Sequence, residues 1–407
     1  MIYTATERER PGRIDILQLL AVVALMLISI AFVYSATTAN DAVSPVTWYR
    51  QSWFRQIIWF TLGLGVAGGV CMIDYHALTR WSLVAYGIAI FFLLVVIIPG
   101  IGSMRYGARR WIDLGGFQFQ PSEFGKLACI LALAHFLSRP ADELRQPRNF
   151  WKAIGLMVLP FLLIMKEPDL GSALVLLPTG LAMMYAAGTP RHYLAQLLGI
   201  GGILAALVLA DVVYAPAKYR LKMPSYQAKR LLVYFGRNYA DYYAASTTSE
   251  AERRKLQEEE LKDSYNVNQA LIAVGSGGRA GKGWRQGQQN SLGFLPEAGK
   301  HNDFIFSVIA EEMGFVGSVV VLTLYSVILF TGIRIAGQAR DRLGKLLAVG
   351  VVALLFSHVF INIGMNIRIM PVTGVPLPLL SYGGSSVLGS LIAMGLLQNV
   401  YMYRKAY

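Results

Sequence analysis

Apolar runs alternate with polar connections along almost the whole chain, and an apolar run of about 20 residues is what an α-helix needs to cross a bilayer. The pattern predicts about ten spanning helices, near 15–36, 53–73, 78–100, 121–138, 151–165, 169–188, 191–214, 304–333, 344–367 and 379–403. The connections are short except for 215–303, a large loop between spans seven and eight. The expected fold is an all-α polytopic membrane protein, a single membrane domain over 1–407 with that loop inside it.

The loop has parts. Residues 216–235 mix basic and aromatic side chains, a composition suited to lying on a membrane surface. Residues 246–263 read as a solvated helix, with Glu250/Arg254 and Glu258/Lys262 spaced i,i+4 and Ser249 placed to cap it. The stretch Gly275–Ser–Gly–Gly–Arg–Ala–Gly281–Lys–Gly283 fails as a phosphate loop. Ser276 stands where that pattern needs glycine, and Gly283 where it needs serine or threonine. No preceding strand of a βαβ unit supports a dinucleotide site either. A flexible turn that lets backbone approach a ligand or a membrane is the expectation.

Composition sharpens the membrane reading. Of 407 residues 55% are hydrophobic and only 15% charged, with mean hydropathy +0.47, whereas soluble domains carry about 25% charged residues. The first apolar run follows Arg8, Arg10 and Arg13, spans a membrane in length and lacks a small-residue cleavage site, so it reads as a signal anchor. Cys71 and Cys129 both lie in apolar runs, which argues for small buried hydrophobes rather than a disulfide framework or metal ligands. The net charge of +13 suits an anionic membrane or an anionic lipid substrate. Nucleic acid is not expected, because the positive charge is scattered among connections.

Those charges also set an orientation. Arg80, Arg139, Arg145, Arg148, Lys152, Arg191, Arg334, Arg340, Arg342, Lys345, Arg404 and Lys405 fall at the termini or in even-numbered connections. The positive-inside rule makes these cytoplasmic, so both termini are expected inside the cytoplasmic (inner) membrane and 215–303 outside. The connection 101–120 breaks the rule with Arg105, Arg109 and Arg110. Binding of phosphate explains such residues, and so does snorkelling to lipid headgroups.

Asp303 closes the large loop immediately before an apolar helix, where a carboxylate is costly to desolvate and marks a functional site. A helix cap is the plainer reading. Lys300 and His301 lie beside it, the first suited to anionic substrate, the second to orienting the carboxylate or simply to an exposed loop. Gln120–Pro–Ser–Glu123 with Lys126 opens the fourth span, and Glu123/Lys126 at i,i+3 are expected to neutralise each other. Asp169, in Lys166–Glu–Pro–Asp–Leu–Gly171, is placed to cap the sixth span. Pro371–Val–Thr–Gly374–Val–Pro–Leu–Pro378 and Ser381–Tyr–Gly–Gly–Ser385–Ser386 break regular helix at membrane depth. Such backbone is tolerated where it lines a wet cavity, to which Ser381 and Ser385 would offer hydroxyls, or where small residues pack helices tightly.

Together these motifs resemble the SEDS family of rod-shape, division and sporulation cell-wall polymerases. The resemblance runs over nearly the whole chain, through Phe54–Arg55–Gln56, Gly107–Ala–Arg–Arg110–Trp111, Gln120 to Lys126, Pro168–Asp–Leu–Gly, Gly281–Lys–Gly–Trp284, Phe294–Leu–Pro–Glu297, Asp303–Phe–Ile–Phe306, Glu311–Glu–Met–Gly314 and Pro371 to Ser385. The stretches 374–378 and 281–284 lean toward the rod-shape branch over its division counterpart. The chain departs from the family pattern at Asn302, usually threonine, at Arg368, usually glycine, in two residues added before His301, and in the longer charged segment 246–263.

The resemblance implies a peptidoglycan glycosyltransferase that polymerises lipid II, with Asp303 as the essential loop aspartate and general base. Arg55, Arg105, Arg109, Arg110 and Lys126 are then candidates for stabilising the undecaprenyl-pyrophosphate leaving group, Arg110 first. With them Glu123, Lys300, His301, Ser381 and Ser385 make up the expected substrate site. No cofactor is required; a divalent cation could share the leaving-group role, though the sequence shows no cage for one. A class B penicillin-binding protein transpeptidase and other elongation-complex membrane proteins are the implied partners. A lipid II flippase, a division-type polymerase and a non-catalytic scaffold are the alternatives.

Overall fold

The computed structural model of the chain describes residues 12–38, 47–105, 108–115, 117–214, 225–236, 250–295 and 299–405. Each expected apolar run carries a helix. These are α1 (Ile16–Thr38), α2 (Ser52–Met72), the pair α3 (Tyr75–Arg80) and α4 (Ser82–Ile97), α5 (Pro121–Leu137), the short α6 (Ala141–Leu144), α7 (Pro147–Lys166), α8 (Leu170–Ala186) and α9 (Arg191–Tyr214). After the large loop, which contributes α10 (Ser225–Tyr234), α11 (Glu250–Ser276) and α12 (Gln288–Ser291), come α13 (Ile305–Gln338), α14 (Arg342–Asn366) and α15 (Gly384–Met402). Among the described residues seven helices are long and apolar enough to cross a membrane. The count of ten therefore turns on α4, α5 and α8, which have only 16 or 17 residues each.

α14 and α15 occupy the centre, with α13, α1, α2, α5 and α8 packed around them, while α9 lies almost wholly exposed at the periphery. The first and last described segments meet at one end of the bundle, where the Gly12 amide donates to the Met402 carbonyl. Buried Asp15 there pairs with Arg334. The connection 101–120 lies at the opposite end and differs from an all-α expectation. It is a three-stranded antiparallel sheet, β1 (Gly102–Arg105), β2 (Ala108–Leu114) and β3 (Phe117–Phe119), in the order β1-β2-β3. Alternation along β2 buries Arg110 while Arg109 stays half-buried.

The glycine-rich stretch is docked, not flexible. Gly314 interrupts α13 with φ 65° and ψ −157°. A straight helix would bond the Phe315 and Val316 amides to the Glu311 and Glu312 carbonyls. Instead those amides donate to the Gly278 and Arg279 carbonyls (2.9 and 3.2 Å), while the Lys282 and Gly283 amides donate to the Glu311 and Glu312 carbonyls (3.1 and 3.0 Å). These two amides and two carbonyls thus keep backbone partners across the kink. Side chains are excluded by the same contact: a Cβ at Gly277 would stand 1.9 Å from the Ala310 carbonyl oxygen, and one at Gly281 2.1 Å from that of Glu312. α11 also runs further than the predicted 246–263, reaching Ser276, and Ser249 lies outside the described residues.

Candidate active site

Asp303 precedes α13 but does not cap it; the N-cap residue is Phe304 and no side-chain cap bond forms. Instead its backbone is held from three sides. The Tyr382 amide donates to the His301 carbonyl (2.9 Å) and the Ser381 hydroxyl to the Asn302 carbonyl (2.6 Å). The Asp303 carbonyl accepts from the amide side chains of Asn362 (3.0 Å) and Asn366 (3.1 Å), both on α14. Second contacts lock these donors: Ser381 also accepts from the Leu377 amide (2.8 Å), Asn362 also donates to the Val375 carbonyl (2.8 Å), and Asn366 accepts from Ser307 (2.6 Å). The irregular stretch 371–383 therefore fixes the loop that carries the carboxylate. Gln56 of α2 in turn holds that stretch, donating to the Ser381 carbonyl (3.2 Å).

Asp303 is half-buried as a residue. Burial raises its pKa to about 6, opposed by the guanidiniums of Arg230 and Arg110 and reinforced by the negative charge of Asp169. Arg110 donates to the Pro168 carbonyl (2.6 Å), and its Nη1 stands 3.6 Å from Asp169 Oδ1. Asp169 caps α8 through the Ser172 amide (3.2 Å). Burial alone would raise its pKa, but Arg110, Ser172 and Lys126 outweigh that and hold it below the usual carboxylate range. Glu167, two residues earlier, is 1% exposed, and neither carboxyl oxygen has a hydrogen-bond partner among the described residues. Burial, then Asp169, pushes its pKa up to about 9 against Arg110, so it is a neutral acid at physiological pH. Deeper in, Lys126 bonds Glu123 (2.7 Å) and His358 Nε2 (2.9 Å), and His358 Nδ1 lies 3.2 Å from the Pro376 carbonyl oxygen.

The Asp303 carboxylate thus stands at the end of a helical bundle, held at its backbone and with the guanidiniums of Arg230 and Arg110 in its field. The sequence model of the FtsW, RodA and SpoVE proteins, described as cell cycle protein, matches residues 16–406. The chain belongs to this family, SEDS. It is 36% identical to stage V sporulation protein E of Bacillus subtilis over 96% of this chain and 98% of that protein. It is 32% identical to the peptidoglycan glycosyltransferase MrdB of Escherichia coli K12 over 96% and 94%. A chain from a solved peptidoglycan synthase complex that coordinates polymerization and crosslinking superposes with TM-score 0.71 at 26% identity, covering 96% of this chain and 98% of that one.

Within this SEDS fold the predicted site residues separate into groups. Asp303, Arg110 and Lys126 share one electrostatic neighbourhood through Asp169. Glu123 and Lys126 neutralise each other as expected, but Lys126 is 1% exposed and committed to protein partners. Arg110 is likewise committed to Asp169 and Pro168. Ser381 and Ser385 do not line a wet cavity with free hydroxyls. Ser385 joins α15 to the hairpin, donating to the Gln118 carbonyl (2.7 Å) and accepting from the Gln120 amide (3.0 Å). His301 packs its ring on Tyr382 and is held neutral, its pKa lowered to about 4 by burial and Lys300; it serves Asp303 through its carbonyl. Lys300 is buried. Arg55 is exposed on the first turn of α2 and Arg109 is half-buried on β2. Arg105 places its backbone in β1, and its side chain lies outside the described residues.

Four residues escaped the sequence reading: Arg230, Glu167, Asn362 and Asn366. Asn362 and Asn366, four apart on an apolar helix, were the detectable signal, since polar side chains at membrane depth need partners. Among the described residues no group of three or more histidine, cysteine, aspartate and glutamate side chains is arranged to hold a metal ion.

Proposed function

We propose that this chain is a peptidoglycan glycosyltransferase polymerising lipid II into β-1,4 glycan strands on the outer face of the cytoplasmic membrane, with Asp303 as general base. The observation that carries the reading is Asp303 itself: a half-buried residue, uncommitted to capping, whose backbone is gripped by α14 and the 371–383 stretch. The acceptor N-acetylglucosamine 4-hydroxyl gives its proton to Asp303 as its oxygen attacks the donor anomeric carbon. The bond to the α-linked pyrophosphate breaks, the electron pair leaves with the undecaprenyl pyrophosphate, and the new linkage is β. One inverting displacement needs no covalent enzyme intermediate.

Arg55, exposed on α2, and the half-buried Arg109 on β2 are the residues best placed to meet phosphate, while Arg110 and Lys126 act as a fixed positive field. The basic connections favour both termini inside and the Asp303 end outside. The 374–378 and 281–284 stretches favour elongation over division. The solved relative within a synthase complex supports a crosslinking partner, a class B transpeptidase. Purified chain incubated with lipid II in detergent tests the reading. Glycan ladders on a gel are expected from wild type and none from Asp303→Asn; lipid II transport across vesicles without any ladder would replace the polymerase with a flippase.

A further inference from the structure

Helix α10 belongs to the large loop, where the sequence offered only membrane-surface character. It docks instead on the 369–374 stretch beside the active site. Arg230 Nη1 donates to the Thr373 carbonyl (2.7 Å), and the Tyr234 hydroxyl to the Ile369 carbonyl (2.9 Å). Between them lies a cavity of about 160 Å³, bounded by Arg230, Val233, Tyr234, Phe304 and Met370. These two bonds tie α10 to the 369–374 stretch, while Leu232 packed with Val212 and Leu256, and the Lys229–Glu259 pair (2.5 Å), hold it to α9 and α11.

Gly374 follows Thr373 with φ +73°. The point where its Cβ would stand is 3.5 Å from Asp303 Oδ2 and 3.8 Å from Arg230 Nη2. Carboxylate and guanidinium thus face each other across a glycine that leaves the space between them open. We propose that Arg230 is a positioning residue for Asp303, brought beside the carboxylate by docking of α10 so that the ionised, proton-accepting form is favoured. The proposal rests on the reading of Asp303 as general base.

The other groups facing Asp303 do not duplicate this role. Arg110 on β2 is divided between Asp303 and Asp169, and Asp169 at the start of α8 opposes ionisation. His301 in the same loop is neutral, and α14 contributes only the uncharged Asn362 and Asn366. Arg230 heads the cations that offset burial at Asp303.

Initial rates of lipid II polymerisation by the purified full chain, measured against pH and substrate concentration, decide it. Wild type should show a limb rising through about pH 6. Arg230→Gln should move that limb upward by about one pH unit, the size of a lost opposite charge nearby. Its rate at pH 6 then falls several-fold toward tenfold, and the loss shrinks at pH 8, with KM unchanged. Arg230→Lys should restore the wild-type limb, and Tyr234→Phe, which removes one of several contacts of α10 and no charge, should move it less than Arg230→Gln does. A Gln variant with an unmoved limb overturns the proposal, as does a raised KM with no shift, which would make Arg230 a substrate contact. An Arg230→Lys limb displaced as far as that of Arg230→Gln overturns it too, since the charge is then not what holds the limb. A wild-type profile with no carboxylate limb sinks the base assignment itself.

Discussion

Asparagine at position 303 keeps the size of the side chain and removes the proton acceptor. The fold should tolerate it. No cap bond is lost, and the bonds that hold the loop run to the backbone carbonyls of 301, 302 and 303, which asparagine retains. Loss of a general base costs roughly 10²–10⁴ in rate, which at about 1.36 kcal/mol per decade is about 2.7–5.4 kcal/mol of transition-state stabilisation. A cap, by contrast, contributes only about 0.5–2 kcal/mol of stability, and asparagine caps as well as aspartate. The assay is lipid II polymerisation in detergent, with thermal unfolding of the same preparation as the control for folding. Activity of wild type should climb with pH through about 6, because burial raises the carboxyl pKa and only the ionised form accepts a proton. Asp303→Asn should show a small, pH-flat remainder. Asp303→Glu should recover little, since the carboxylate moves by about a bond length from a pinned backbone. A folded Asp303→Asn protein polymerising at the wild-type rate would refute the catalytic role.

Three further tests follow from the buried charges. Arg110→Ala leaves Asp169 buried without its cation, which costs about 3–5 kcal/mol; adding Asp169→Asn should restore thermal stability but not polymerisation, and recovery of both would make Arg110 purely structural. Lys126→Met should destabilise by a similar amount, about 3–5 kcal/mol, because Glu123 is stranded, and the double variant with Glu123→Gln should regain most of the loss in a thermal melt. Glu167 has a folded pKa raised to about 9, so its contribution is fully present below its unfolded value of about 4.3 and lost as pH rises toward 9. By pH 7 the loss is on the order of 3–4 kcal/mol, so Glu167→Gln should unfold at higher temperature at pH 8 and lose that advantage below pH 5. Parallel melting curves for the two proteins would show that Glu167 is ionised.

The spans were legible because burial in lipid writes itself into long uninterrupted apolar runs. The Glu123/Lys126 pair and the Asp169 cap were legible because their partners are three residues away. Partners far along the chain were not. Nothing local marks Gly277 and Gly281 as backbone contacts of α13, since each is explained only by carbonyls some thirty residues later. The hairpin at 102–119 was hidden because its strands are only three to seven residues long, too short for alternation to stand out. Ser381 and Ser385 were read as hydroxyls for a ligand, yet both are consumed by carbonyls and amides of distant segments. Arg230 looked like one more membrane-surface cation until α10 folded back on Thr373.

The buried acids of α13 carry a consequence for how the protein is made. Glu311 and Glu312 are both fully buried. Their carboxylates are met by Lys282 (2.7 Å) and the Gln289 amide (2.9 Å), and by Ser35 (2.5 Å) and the Arg285 amide (3.0 Å). Every one of those partners precedes residue 311 in the chain. During synthesis from the N-terminus they have already emerged when the acids arrive, so α13 can be received into a prepared seat and need not hold two bare carboxylates in lipid. The large loop thus acts as an assembly jig for the helix that follows it, whereas Asp303 is fixed only once α14 and the 371–383 stretch have followed.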